Sequence, residues 1–239
     1  MTVGRSVCSA TVGRSNASSL QKHTRRKPMS NLTTLTARVA ADLKDAAHAT
    51  WSAEEIAQQI RRALQLYNEV APRRLAGTLD TVAGQREYDL SSLPNLADVV
   101  DVHYPYDVTD PPYPPHRAPW RLLDASTLYL EVAVAPSGAA GETIRVFYTA
   151  PHTIDGLDGA SATTLPAWGE HLVVLGATAY CVQQRAQAVT GTVTVSERTP
   201  DQLAAWAEAR RAAFRRELAR LRAHAAQVGS ARVAWGGGV

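Results

Sequence analysis

Cysteine is scarce in this chain. Cys8 and Cys181 are the only two among 239 residues, and they form neither a C-x-x-C pair nor a metal-ligand spacing. A disulfide-held fold is therefore excluded, and Cys181, inside an apolar run, reads as a small buried apolar residue. Long hydrophobic runs are also missing. No stretch approaches the ~18 apolar residues of a membrane span. Catalytic and cofactor signatures are absent too: no G-x-S-x-G, no Walker-type glycine loop, no H-E-x-x-H and no G-x-G-x-x-G. The histidines are scattered. His116 and His152 fall in loops without a companion at metal spacing, and His171, opening an apolar helix, reads as a satisfied, partly buried side chain. Asp155 and Asp158 in a glycine-rich loop lack the alternation of a calcium loop and read as solvated turn acids. Asp107 and Asp110, set among prolines, read as turn residues. The sequence thus predicts no catalytic residues, no metal and no cofactor.

Acids are missing from the first 30 residues, which carry six bases: Arg5, Arg14, Lys22, Arg25, Arg26 and Lys27. The last 39 carry seven arginines against Asp201, Glu208 and Glu217. Between these basic ends lies an acidic body of 12 basic and 19 acidic residues. Such asymmetry suits nucleic acid or an acidic protein partner, and it also suits two solvated ends. Residues 1–30 are rich in Ser, Arg and Thr and lack apolar periodicity. They read as a disordered leader, as an over-extended start before Met29, or as a transit-peptide-like segment.

What is present is periodic. Hydrophobic residues make up 45% of the chain, enough to bury a core. Leu32, Leu35, Val39 and Leu43 predict a helix from Asn31 to about Ala47. Ser52 and Glu55 form a capping box, after Trp51, for a second helix carrying Ile56, Ile60, Leu64 and Tyr67 and ending at Pro72. From Leu79 the period falls to two, predicting strands at 86–90, 99–104, 127–132 and 143–149. In the last, Ile144, Val146 and Tyr148 point one way, and Thr143, Arg145 and Phe147 the other. A stretch with six prolines, 104–120, predicts a stiff projecting loop. Residues 171–188 are apolar nearly all round, so that helix should be buried, with Gly176 and Ala177 allowing close approach of another. Thr199 as N-cap and Pro200 predict a final helix over 201–228, about 42 Å long. Its stripe of Leu203, Ala207, Phe214, Leu218 and Leu221 excludes Arg211, Arg215, Arg216, Arg220 and Arg222. Gly236–Gly238 predicts a flexible tail.

These patterns predict an α+β fold. A helical domain (31–78 and 165–228) receives an inserted antiparallel β domain (79–150), with a disordered leader (1–30) and a loose tail (229–239).

Three stretches, in order, carry a resemblance. They are Thr50-Trp51-Ser52-Ala53-Glu54-Glu55-Ile56 through Arg62-Ala63-Leu64 to Pro72, then Ile144 to His152, and then Leu165-Pro166-Ala167-Trp168 leading to Leu172–Tyr180. Followed by a charged amphipathic helix, they resemble the head-to-tail adaptor (connector) proteins of tailed bacteriophages, over about residues 31–228. The resemblance implies a non-enzymatic structural protein of the virion neck, present in the host cytoplasm during assembly. It implies a homo-oligomeric ring, twelve-fold in the family, that meets the portal and a tail protein and lets genomic DNA through its lumen without reading sequence. On this reading Arg211, Arg215, Arg216, Arg220 and Arg222 are expected at the portal, and Tyr106 and Tyr113, on the proline-rich loop, at a neighbouring subunit or the tail. The competing expectation is a nucleic-acid-binding module using the same arginine-rich helix. A hydrolase or carbohydrate-binding protein built on the β region lacks any site in the sequence.

Overall fold

The structure, a computed structural model, describes residues 30–190 and 198–234. The expectations about the leader through Met29, about Cys8 and about the glycine tail lie outside the described residues. The described chain is an α+β fold of four helices and two small antiparallel sheets.

Helix α1 spans Leu32–Asp42, with the Asn31 side chain accepting the Thr34 N–H at 2.9 Å. It stops short of the expected Ala47, and Asp45 is the reason. Its carboxylate accepts the N–H groups of Ala49, Thr50 and Trp51, each at 2.9 Å. That local alternative outcompetes a further helical turn. The Trp51 N–H, followed by those of Thr50 and Ala49, holds the Asp45 carboxyl below the usual range.

Helix α2 spans Ala53–Val70 behind the expected capping box: Ser52 Oγ accepts the Glu55 N–H at 3.2 Å, and Glu55 accepts the Ser52 N–H at 2.8 Å. Helix α3 spans Ala167–Thr190 and α4 spans Arg198–Ala234. Thus α4 begins before the predicted cap Thr199 and extends past Val228, giving 37 residues and about 56 Å. No helix among the described residues is long and apolar enough to cross a membrane.

The four helices share one core, including Leu35, Ile56, Ile60, Val173, Cys181 and Phe214. Helix α3 lies among the other three, as its apolar circumference requires. A Cβ on Gly176 would stand 2.9 Å from Phe214 Cζ on α4 and 3.1 Å from Ala63 Cβ on α2. Glycine there lets both neighbours in. His171, expected partly buried, is exposed, because its place at the first turn turns it away from the face that carries Leu172 and Val173.

The strands are β1 (Arg73–Asp80), β2 (Glu87–Asp89), β3 (Asp98–Tyr106), β4 (Trp120–Leu122), β5 (Thr127–Leu130) and β6 (Thr143–Ala150). One sheet runs β1-β6-β3 and the other β2-β5-β4, all antiparallel. They pack on a second core, with Val102, Ile144, Val146 and Tyr148 from one sheet and Tyr88, Leu128 and Leu130 from the other. Ile144, Val146 and Tyr148 are buried as the alternation predicts. Pairing begins at Arg73 rather than Leu79. At the centre of β1 is Gly77, where a Cβ would overlap the Leu93 side chain. The missing side chain hides the strand's alternation.

The entry and exit of this sandwich lie side by side. Arg73 pairs with Ala150, and the Asn68 side chain at the end of α2 holds both backbone groups of His152, accepting its N–H at 2.8 Å and donating to its carbonyl at 3.2 Å.

Candidate functional site

The expected site residues fall on two elements, α4 and the proline-rich loop. With Arg211 as origin and ~100° per residue, Arg222 and Arg215 lie ~20° and ~40° away. Arg216 and Arg220 lie at ~140° and ~180° by the same helical period. Phe214 is fully buried, and Leu218 and Leu221 pack partly buried against the helical core. The five arginines therefore face two directions.

Arg211 is half-buried against α3, bonded to Glu208 on its own helix and donating to Gln183 at 3.4 Å. Arg220 pairs with Glu217 at 2.5 Å. Arg215, Arg216 and Arg222 are exposed and carry no ion pair among the described residues. Arg210, outside the expected set, sits 5.1 Å from the Trp206 ring and 3.8 Å from Asp42. Between α4 and the end of α2 lies a groove of about 470 Å³. Leu66, Val70, Leu218, Ala219 and Ala223 line it, with Arg215, Arg222 and Glu69 at its rim.

The proline-rich loop is held shut at its base. Tyr104 N–H donates to the His116 carbonyl and Ala118 N–H to the Val102 carbonyl, both at 2.9 Å. Asp101 accepts from Arg117 at 3.3 Å. Further out, Asp107 accepts the Thr109 N–H at 2.8 Å and its hydroxyl at 2.7 Å, a side-chain-closed turn as expected. The two tyrosines differ. Tyr106 closes β3, its carbonyl accepting the Thr143 hydroxyl at 2.7 Å and its ring 5.6 Å from the Arg145 guanidinium. Tyr113 is 96% exposed.

The sequence reading missed several polar centres, each with at least one partner remote in the chain. Glu142 accepts from Ser137 Oγ (2.6 Å), the Ser137 and Gly138 N–H groups (3.0 Å each) and the Tyr104 hydroxyl (2.5 Å). The Ser137 hydroxyl, then Tyr104, draws its carboxyl down to about 2. Glu170 on α3 binds Arg38 on α1 at 2.9 Å. Asp158 is an exposed turn acid, as expected, and it also holds a partner the sequence did not show: Arg61 on α2 reaches it at 2.7 and 3.0 Å. That hydrogen bonding lowers the Asp158 carboxyl. Partial burial lowers the His152 pKa, outweighing its contact with the Thr164 carbonyl at 2.8 Å. Burial pushes the Cys181 thiol up to about 12, and its carbonyl accepts the Trp51 indole N–H at 3.2 Å. These contacts tie elements together, and His152 and Asp158 also border a pocket of about 300 Å³ with Leu64, Asn95 and Leu157. Among the described residues no group of three His, Cys, Asp or Glu is placed to hold a metal.

No protein-family model and no curated protein matches the chain. Among solved structures it is similar to a chain in the neck of an empty gene transfer agent particle computed with C6 symmetry, at 18% identity and TM-score 0.28, over 61% of this chain and 76% of that one. A chain in the neck of the native particle computed with C12 symmetry gives 20% identity and TM-score 0.27, over 61% and 77%. One in the virion of the native particle gives 16% and 0.27, over 72% and 85%. At these TM-scores the chains do not superpose as wholes, and the likeness carries no weight for function.

Proposed function

We propose that this chain is a structural protein of a phage-type virion neck, a head-to-tail adaptor that assembles as a ring between portal and tail, with DNA passing through its lumen. The observation that carries this reading is the division of α4. One side packs on the subunit's own core through Phe214, Leu218 and Leu221. Arg216 and Arg220 face away from that side, available to another protein. A subunit held together by one side of its longest helix still has charge to offer an axial partner. In this reading the helical frame and the inserted sandwich are separate domains, and the portal is reached by Arg216 and Arg220. Arg pairs well with carboxylates because its planar fork matches their geometry. A second reading has one observation in its favour: Arg215, Arg216 and Arg222 lack an ion pair among the described residues, which also suits a phosphate backbone.

Native mass spectrometry of the full chain, with and without a portal ring, separates the two. The adaptor reading expects a large homo-oligomer or a portal complex. It also expects Arg216→Glu with Arg220→Glu to abolish portal docking while folding and duplex affinity persist. A monomer or dimer that binds duplex DNA with a steep salt dependence, lost in that double variant, replaces it with the second reading.

A further inference from the structure

The groove between α2 and α4 and the tip of the proline-rich loop are complementary, yet they do not meet within one chain: Tyr113 at the tip is 96% exposed. The groove is apolar along its floor, and two of the three charges at its rim are Arg215 and Arg222. From Asp107 to Pro115 the loop carries two acids, Asp107 and Asp110, and no base. Its one large anchor is aromatic, the residue type that dominates interface energetics. The loop is also rigid beforehand. Four prolines flank Tyr113, the Asp107 turn shapes the arm, and the base is closed by the Tyr104–His116 and Val102–Ala118 bonds. An ordered arm loses little freedom on docking, so more of the contact energy appears as affinity.

We infer that the α2–α4 groove receives the proline-rich loop of a second copy of this chain, with Tyr113 seated between Leu66, Val70 and Leu218 and Asp110 facing Arg215 and Arg222. This rests on the ring reading above and gives it a lateral contact. Loop and groove are different patches, so the contact is head-to-tail, the kind that repeats around a closed ring when the rotation permits. The arginines of α4 then serve two partners. Arg215 and Arg222 turn to the neighbouring copy, and Arg216 and Arg220 remain for the axial one.

The test uses the full chain. Photoreactive p-benzoylphenylalanine replaces Ala219, an exposed groove residue, and the variant is mixed with 15N-labelled wild-type chain and irradiated. Mass spectrometry should find residue 219 linked to the 107–117 segment of the other isotope. A link to residues 1–28, or to any other segment, overturns the inference. Tyr113→Ala should weaken self-association at least about 30-fold by sedimentation, the ordinary threshold of a hot spot. Arg215→Glu with Arg222→Glu should weaken it too, and Asp110→Arg should restore part of that loss. Rings that persist unchanged in Tyr113→Ala, linked elsewhere, overturn this contact and leave the adaptor reading standing. A wild-type chain that stays monomeric at every concentration overturns both.

Discussion

The effect of substituting Gly176 should depend on whether Phe214 is present. Phe214 is fully buried on α4, its ring edge-on to Tyr180 at 6.3 Å. Truncation to alanine should cost about 3–5 kcal/mol, the usual range for a buried Phe that leaves a cavity. Gly176→Ala has two competing parts. In a helix interior alanine is better than glycine by about 1 kcal/mol. The new methyl, however, would lie 2.9 and 3.0 Å from Phe214 Cζ and Cε2, and 3.1 Å from Ala63 Cβ. Overpacking of this kind costs about 1–3 kcal/mol. In wild type the two nearly cancel or the crowding wins, a net loss of about 0–2 kcal/mol on those figures. In the Phe214→Ala background the crowding from the ring is gone, and the same methyl enters the vacated space. With only the Ala63 contact left, Gly176→Ala should then stabilise by up to about 1 kcal/mol, and the cycle should show a coupling of about 1–3 kcal/mol. Urea unfolding followed by tryptophan fluorescence, run on wild type, both single variants and the double, gives all four corners. If Gly176→Ala has the same sign and size in both backgrounds, α4 does not press on Gly176 and the packing of α3 against α4 is wrong.

Ser52→Ala removes the α2 cap and should cost about 1 kcal/mol by the same assay, whereas a change under about 0.3 would mean that Glu55 alone caps the helix. His152 is half-buried and its folded pKa is depressed, so the unfolded chain binds the extra proton more readily. Stability should fall as pH drops below the ordinary histidine value of about 6.5, and His152→Gln should flatten that slope. Glu142 works in the acid range. Its folded pKa of about 2 lies below the ordinary 4.5, so its contribution is complete above pH 4.5 and lost as pH falls toward 2. Glu142→Gln should weaken the protein at neutral pH and reduce its loss of stability in that window, read by thermal melts at stepped pH.

Much of the fold was legible because its signals are local. Ser52 and Glu55 lie three residues apart, and the alternation of Ile144, Val146 and Tyr148 needs only one strand's neighbours to be read. What stayed hidden depends on distance. Nothing near Asp158 announces Arg61 on α2, and nothing near Gly77 announces Leu93. Asp45 ends α1 with bonds to Ala49, Thr50 and Trp51 that compete against helix formers which, by propensity, would have carried the helix on. On α4 periodicity alone set the five arginines off the apolar stripe. Only the position of α2 shows that Arg215 and Arg222 border a groove and that Arg216 and Arg220 do not. Tyr106 and Tyr113 look alike in the sequence, yet pairing of Tyr106 with Thr143 draws one into β3 and leaves the other at the tip.

The placement of β6 orders events on the ribosome. Among the described residues both β1 and β3 pair only with β6, the last strand of the sandwich to be made. The first sheet therefore cannot form until Ala150 has emerged; after that the whole sandwich is available as one contiguous stretch of chain. The helical core has the opposite fate. Leu35, Ile56 and Ile60 are synthesised early, but their cover comes from α3 and, last of all, from Phe214 on α4. The middle of the chain can be finished while its beginning still exposes apolar surface. Nascent chains cut off before α4 should hold a protease-resistant sandwich beside helices that chaperones still recognise.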